Sequence, residues 1–211
     1  FQIGQTFFPY CDRVKREHTI VDISSTFEET VLSNFKNEYL NGRTPNPCVI
    51  CNKAIKWEEL LEKANQLDAY YVATGHYASV DYDEKTDRYR LVNSADSHKD
   101  QTYALWGLTQ ESLSRTLLPL GKYTKTEIRE LATEFKLKTA NKPDSQEICF
   151  VADNNYERFL RERVPEKIAD VPEGDLKTTT WAGGNDDVKV FLISKSGDEN
   201  GGLLNVTVLT K

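Results

Sequence analysis

The chain has 211 residues, 38% of them hydrophobic and 28% charged, which is enough to bury a core and argues against wholesale disorder. No apolar run approaches the length of a membrane span; the longest candidates, such as Val190-Phe191-Leu192-Ile193, are strand-sized, so no membrane partner is expected. The net charge of -6 argues weakly against a nucleic-acid partner, although the distribution of charge matters more than its sum.

The first ten residues, "FQIGQTFFPY", define no element. "HTIVDIS" contains a short buried strand ending near Asp22. Ser25 and Thr26 ahead of Glu28 and Glu29 form a capping-box signature, and Phe27, Val31, Phe35 and Tyr39 recur at helical spacing. A helix over 27–40 is predicted, closed by Asn41-Gly42. The loop "NGRTPNPCVICN" follows, and a second helix is predicted to begin near Asn52, with Ile55, Leu60, Leu61 and Ala64 as its apolar stripe. "AYYVATGHYASV" is a β-rich run broken by Gly75, as expected of a strand that delivers a turn. "DYDEKTDRYRLV" reads as a hairpin with a polar tip. Helices are predicted over 101–106, 110–116 and 126–135, the last capped by Thr124 and Glu127, and a short one over 156–163. Strands alternating with helices imply an α/β layer with a largely parallel sheet. Beyond a boundary at 168–173 the β-branched alternation implies a small β-rich domain over 171–211.

Four cysteines without framework spacing fit a reducing compartment, so a cytoplasmic location is expected. A Cys-x-x-Cys pair such as Cys48 and Cys51 serves as a redox dithiol, as half of a metal site, or as two unrelated thiols. Cys51 falls at the predicted start of a helix, with Lys53 and Lys56 behind it and Arg43 ahead, a setting that lowers a thiol pKa. Cys149 lies in the polar run "KPDSQEICFV". For each of them a buried, inert cysteine is the competing reading, and Cys11 is read as structural. Between Gly121 and Pro143 six bases (Lys122, Lys125, Arg129, Lys136, Lys138, Lys142) outnumber three acids (Glu127, Glu130, Glu134), a local +3. Arg158, Arg161, Arg163 and Lys167 form a second cluster; taken alone, both read as solvated helix faces. The chain contains no methionine, even at position 1, and residues ahead of Phe1 are therefore expected.

"NGRTPNPCVICNKAIKW", "VATGHYA", "KDQTYALWGL", "LPLGKYTKTEIRELA" and "KPDSQEICFV" together resemble the tRNA-specific 2-thiouridylases, in that family's order, over about Val21 to Val151. The resemblance implies a nucleotide-hydrolase-like α/β fold of the pyrophosphate-loop class over 1–150, a remnant of a central domain over 151–170, and the β-rich domain after it. It implies ATP with Mg2+, tRNA as substrate, and a sulfur donor that is a relay protein or a cysteine desulfurase. In that family the C2 oxygen of the wobble uridine is adenylated, and a persulfide at the position of Cys149 then supplies sulfur. The position of Cys51 resolves it as a disulfide. Many members carry an aspartate where this chain has Cys48, so Cys48 is a third candidate thiol. With Cys51 and Cys149 it would furnish three ligands for a [4Fe-4S] cluster with one open iron.

Gly75 and His76 end a predicted strand, the edge at which α/β sheets bind ligands, and are expected to touch nucleotide or tRNA. A hydrogen-bonded structural role is the alternative for His76. Lys99, Asp100 and Gln101 match the segment that approaches the extruded uridine, with Gln101 reading the uracil edge or Asp100 capping a helix. Lys142, Asp144 and Ser145 are expected to order the loop carrying Cys149, and the basic clusters to meet tRNA phosphates. The family's Ser-Gly-Gly-x-Asp-Ser loop and its "GQRKG" segment have no counterpart here. Three readings stay open: the thiolating enzyme, a tRNA-binding or sulfur-carrying protein that does not activate uridine, and an α/β domain whose thiols are incidental.

Overall fold

The computed structural model describes residues 19–142, 148–151, 153–168, 193–196 and 203–206. Strand β1 (Thr19–Asp22) leads into helix α1, which runs without a break through Ser24–Phe27, a π-helical turn Glu28–Leu32, and Ser33–Leu40. The expected box at Ser25 and Thr26 is not its cap. The Asp22 carboxylate accepts from the Ser24 amide at 2.9 Å, and that bond holds its pKa below the ordinary value. The hydroxyl of Ser25 instead donates to Glu29 within the helix. At the other end Gly42, at φ 70°, donates to Tyr39 O while Arg43 N donates to Glu38 O, a Schellman closure that uses glycine's left-handed freedom.

Helix α2 comprises Pro47–Ile50, a π-helical stretch Cys51–Glu59, and Leu60–Gln66. It therefore starts at Pro47 rather than near Asn52. Asn46 caps it by accepting from Val49 N, and a proline at the first helical position forfeits only an amide that no helix would use. Both Cys48 and Cys51 consequently lie inside the helix.

Strand β2 (Val72–Ala73) pairs in parallel with β5 (Thr116–Leu117), the one parallel pair among the described strands. Strands β3 (Ala78–Asp83) and β4 (Arg88–Asn93) form the predicted hairpin, in register from Ala78 opposite Asn93 to Asp83 opposite Arg88. Between β4 and β5 lie a 3-10 turn (Thr102–Ala104) and helix α3 (Gln110–Ser114). Helix α4 (Lys125–Glu134) has the predicted reciprocal box of Thr124 and Glu127. Helices α5 (Tyr156–Arg163) and α6 (Pro165–Ile168) follow. Strand β1 pairs antiparallel with β7 (Leu203–Val206), itself paired with β6 (Ile193–Ser196). The expectation of a buried first strand is corrected: Val21 packs on the core, but Ile20, on the opposite face, is 47% exposed. Apart from β6 and β7, the expected β-rich domain lies outside the described residues, as does Cys11.

One apolar cluster joins α1 (Phe27, Val31, Leu32, Phe35), α2 (Ile55, Trp57, Leu60, Ala64), the segment Ile148, Phe150 and Val151, and α5 (Tyr156, Phe159, Leu160). Phe35 is its hub. Its ring meets Phe150 at 5.1 Å and Phe159 at 5.8 Å, both edge to face, and Phe27 meets Phe150 at 5.6 Å. Such pairs add roughly 0.5–1.5 kcal/mol beyond area burial. Thr26 donates to Glu59 at 2.7 Å and ties α1 to α2.

Gly121 lies so close to β3 that a Cβ there would fall 1.9 Å from the carbonyl oxygen of Ala78. The obstacle is backbone, so it cannot swing aside. Gly121→Ala should therefore destabilise the fold by about 1–3 kcal/mol, the usual cost of overpacking. A denaturant midpoint equal to that of the parent would refute the close approach.

Candidate functional site

Three segments meet behind the C-terminal end of β2. The His76 ring is wholly buried, with Nδ1 at 2.7 Å from Thr74 Oγ1 and Nε2 at 3.1 Å from Asn52 Oδ1. An amide oxygen only accepts, so Nε2 carries the proton and Nδ1 accepts from the threonine hydroxyl. Asn52 is itself 1% exposed and donates its amide to Ala104 O at 3.3 Å, which agrees with that orientation. The other side of the histidine ring faces Trp57, 5.2 Å away. Trp57 donates to Thr116 Oγ1 at 2.7 Å, and that hydroxyl donates to Ser112 O. Asn52 and Trp57 are five residues apart. In an α-helix they would face apart, whereas the π-helical bonding period of five over Cys51–Glu59 brings them to one face.

Both His76 ring nitrogens are occupied and the ring is sealed from solvent, the setting of the hydrogen-bonded structural role that was its alternative reading. Gly75 is buried beside it. Gln101 is also turned inward, 1% exposed, with its side-chain Oε1 accepting from Tyr77 N at 2.9 Å while its backbone N–H donates to Tyr77 O at 2.8 Å. This pairing occupies Oε1 of the side-chain amide that was expected to read a uracil edge. Asp100 caps its own turn: Oδ1 accepts from Thr102 N at 3.1 Å and Oδ2 from Ser94 N at 2.7 Å. Lys99 is half-buried in the same loop, its amide bonded to Asp96 O.

Cys48, Cys51 and Cys149 are not joined to one another by a disulfide. Cys48 and Cys51 are partly buried and three residues apart in the opening turns of α2, the spacing that puts two side chains on one side of a helix. Cys51 packs against the apolar cluster. Cys149 is exposed, but its neighbours Ile148 and Phe150 are buried in that same cluster. The fold therefore seats both cysteine-bearing segments, 98 positions apart (149 minus 51), on one core. Arg43, expected to bias the thiols, instead grips Glu38 through two bonds of 2.6 and 2.7 Å. The pairing holds the Glu38 carboxyl below its ordinary range and raises the guanidinium. Lys142 is exposed, and its carbonyl accepts from Arg129 at 3.2 Å. Asp144 and Ser145 lie outside the described residues.

Among the described residues, which include Cys48, Cys51 and Cys149, no group of three or more His, Cys, Asp or Glu side chains converges to hold a metal ion. The described residues therefore present neither the three converging thiolates of a [4Fe-4S] cluster nor an acidic Mg2+ site. Among the described residues no helix is long and apolar enough to cross a membrane. Sequence reasoning missed Asn52, Thr74 and Trp57. A signal existed for Asn52: a short polar side chain inside a helix competes with its backbone and needs a partner elsewhere.

Burial, aided by the charge of Lys56, pushes the His76 pKa well below its ordinary value. The unfolded chain then binds the proton more readily than the folded one. Stability from this group is complete above the unfolded value of about 6.5 and is lost as pH falls from there toward the folded pKa, by up to ~1.4 kcal/mol per pH unit. His76→Gln should flatten this slope between about pH 6.5 and 5. Parallel stability–pH curves for parent and variant would refute the buried neutral ring.

A family profile described as the tRNA methyl transferase HUP domain matches residues 8–153. The tRNA-specific 2-thiouridylase MnmA of Salinibacter ruber (strain DSM 13855 / M31) is 51% identical over 181 residues, covering 84% of this chain and 47% of the relative. MnmA 1 of Thermoanaerobacter sp. (strain X514) is 54% identical over 157 residues, covering 74% of this chain and 43% of the relative. MnmA of Heliobacterium modesticaldum (strain ATCC 51547 / Ice1) is 55% identical over 149 residues, or 71% of this chain and 39% of the relative. The chain thus spans less than half the length of these curated relatives. With that identity extending across the α/β layer and both cysteine segments, the chain belongs to the tRNA-specific 2-thiouridylase family, and its residues 8–153 form the family's HUP domain.

Proposed function

We propose that the chain supplies the thiol chemistry of an ATP-dependent enzyme that replaces the C2 oxygen of the wobble uridine of tRNA with sulfur. The observation that carries this reading is the common core beneath Cys51 and Cys149: sulfur relay needs two thiols from distant parts of the chain to work on one substrate atom. Transfer of AMP from ATP to the C2 oxygen releases pyrophosphate and turns that oxygen into part of a leaving group. The terminal sulfur of a Cys149 persulfide then attacks C2, and AMP departs with the oxygen. The Cys51 thiolate attacks the inner sulfur of Cys149, and the old sulfur–sulfur bond breaks. Its electron pair stays on the sulfur now bonded to C2, giving 2-thiouridine and a Cys51–Cys149 disulfide. A dithiol reductant restores the thiols, and a cysteine desulfurase or relay protein reloads Cys149.

Position supports this division of roles. Cys149 is exposed, which suits loading by another protein, whereas Cys51 is partly buried on a pinned helix, which suits a resolving thiol of constant placement. The basic residues in α4 and on either side of it (Lys122, Lys125, Arg129, Lys136, Lys138, Lys142) would meet the phosphates of the tRNA. Asp144 and Ser145, with Lys142, would order the approach to Cys149.

Cells lacking the gene should contain tRNA without 2-thiouridine at the wobble position. Complementation with Cys51→Ser or Cys149→Ser should leave thiolation reduced at least ~100-fold while tRNA binding persists. Mass spectrometry of the tRNA nucleosides reads the result, and near-normal thiolation with either single variant would overturn the assignment.

A further inference from the structure

Trp106 is 73% exposed, the most open large apolar side chain among the described residues. Exposure alone would carry nothing, because single surface aromatics are common. Its setting is what matters. The residue before it, Leu105, is 1% exposed in the core, and Leu108 packs against that core two residues later. The intervening backbone is tied down by Ala104 N to Gln101 O at 3.1 Å, Leu105 N to Thr102 O at 3.0 Å and Leu108 N to Leu105 O at 3.1 Å. Ala104 O is held by Asn52, the neighbour of Cys51. An indole is therefore presented to solvent on a turn braced to the helix that carries Cys48 and Cys51.

The surroundings favour a nucleic acid over an apolar partner. Gly107 faces the methylene stem of Lys53, 3.7 Å from where its Cβ would stand, so a cationic side chain adjoins the turn. Lys53 and Arg115 line, together with Glu58, Glu62 and Glu111, a cleft of about 330 Å³ that also includes Gly107, so the ground beside the indole is charged rather than apolar. Extruding a base for chemistry exposes the faces of its neighbours, and an aromatic ring recovers that stacking.

We propose that Trp106 stacks on an unpaired anticodon-loop base adjoining the extruded uridine, and so positions the RNA over the cysteine-bearing helix. This rests on the tRNA-thiolation reading above. Trp106 is a positioning residue and takes no part in the bond changes.

The test uses the full-length protein, its tRNA substrate, and the variants Trp106→Phe and Trp106→Ala. Trp106→Ala should weaken tRNA binding and raise KM roughly 5- to 150-fold with kcat little changed, and Trp106→Phe should recover most of the loss. The indole emission of the parent should be quenched on adding tRNA, and Trp106→Phe, which keeps the chain's other two tryptophans, Trp57 and Trp181, should lose that component. Unchanged affinity, KM and quenching in a protein that binds and thiolates tRNA would overturn this inference alone. So would a lowered melting temperature with unaltered tRNA affinity, which would assign Trp106 to a contact within the protein. Failure of the parent to bind or thiolate tRNA would instead defeat the reading on which the inference rests, and the inference with it.

Discussion

The placement of helix α2 depends on one buried imidazole. His76 lies three residues beyond β2, and its Nε2–H donates to Asn52 of α2 while its ring packs against Trp57 of the same helix. Displacing the helix would leave a donor on the ring, an acceptor on Ala104 and the indole N–H without partners inside the protein. Each such group costs about 1–3 kcal/mol when buried and unsatisfied. That is a steep penalty for a helix whose register also sets where two thiols stand. The neutral state of the ring belongs to the same argument: a charged imidazole could not accept from Thr74, and burial keeps it uncharged.

The second cysteine segment is positioned by different means. Ile148 and Phe150 flank Cys149 and both enter the core, so the thiol between them is turned outward as though on a bridge with buried abutments. The abutments rest on α1 and α5: Phe150 meets Phe27, Phe35 and Phe159. Helix α1 bears no chemistry of its own, yet it contributes to the common cluster against which Cys51 and the flanks of Cys149 pack. A change in Phe35 would therefore act on both thiol segments at once. Polar pinning of one and aromatic packing of the other are independent devices that converge on the same core.

Local signals were legible in the sequence wherever the physics is local. The Thr124–Glu127 box, the hairpin after Ala78, the closure of α1 at Gly42 and the extent of α5 all follow from short-range backbone and side-chain bonding. Two helix starts were misread for a common reason. Each helix begins upstream of the residues that advertise it: α1 at Ser24, whose amide donates to Asp22, rather than after Ser25 and Thr26, and α2 at Pro47, capped by Asn46, rather than near Asn52. The inward turn of His76 and Gln101 was out of reach, because their partners lie 24 positions away and nothing in a histidine or glutamine says which way it faces. Periodicity did hold a trace of the π-helical stretch in α2: Ile55 and Leu60 are both buried yet five residues apart, a spacing that an ordinary helix would turn to different faces.

These distinctions bear on what the motif residues are for. A motif containing Gly75, His76 and Gln101 invites the assumption that each polar side chain reaches the substrate, but here the polar ones are consumed by the fold. What remains at the surface of the same segments is sparser: Cys149, Trp106, Lys53 and Lys142, with Cys48 and Cys51 partly open. Buried polar groups that satisfy one another rigidify what they join, and rigidity here serves groups one or two residues away. Asn52 stands next to Cys51, Ala104 two residues before Trp106, and Phe150 next to Cys149. In each case the anchored residue and the outward one are near neighbours in the chain, so the buried network and the exposed chemistry can be altered separately. Any reaction run by these thiols would inherit its geometry from side chains that never meet the substrate.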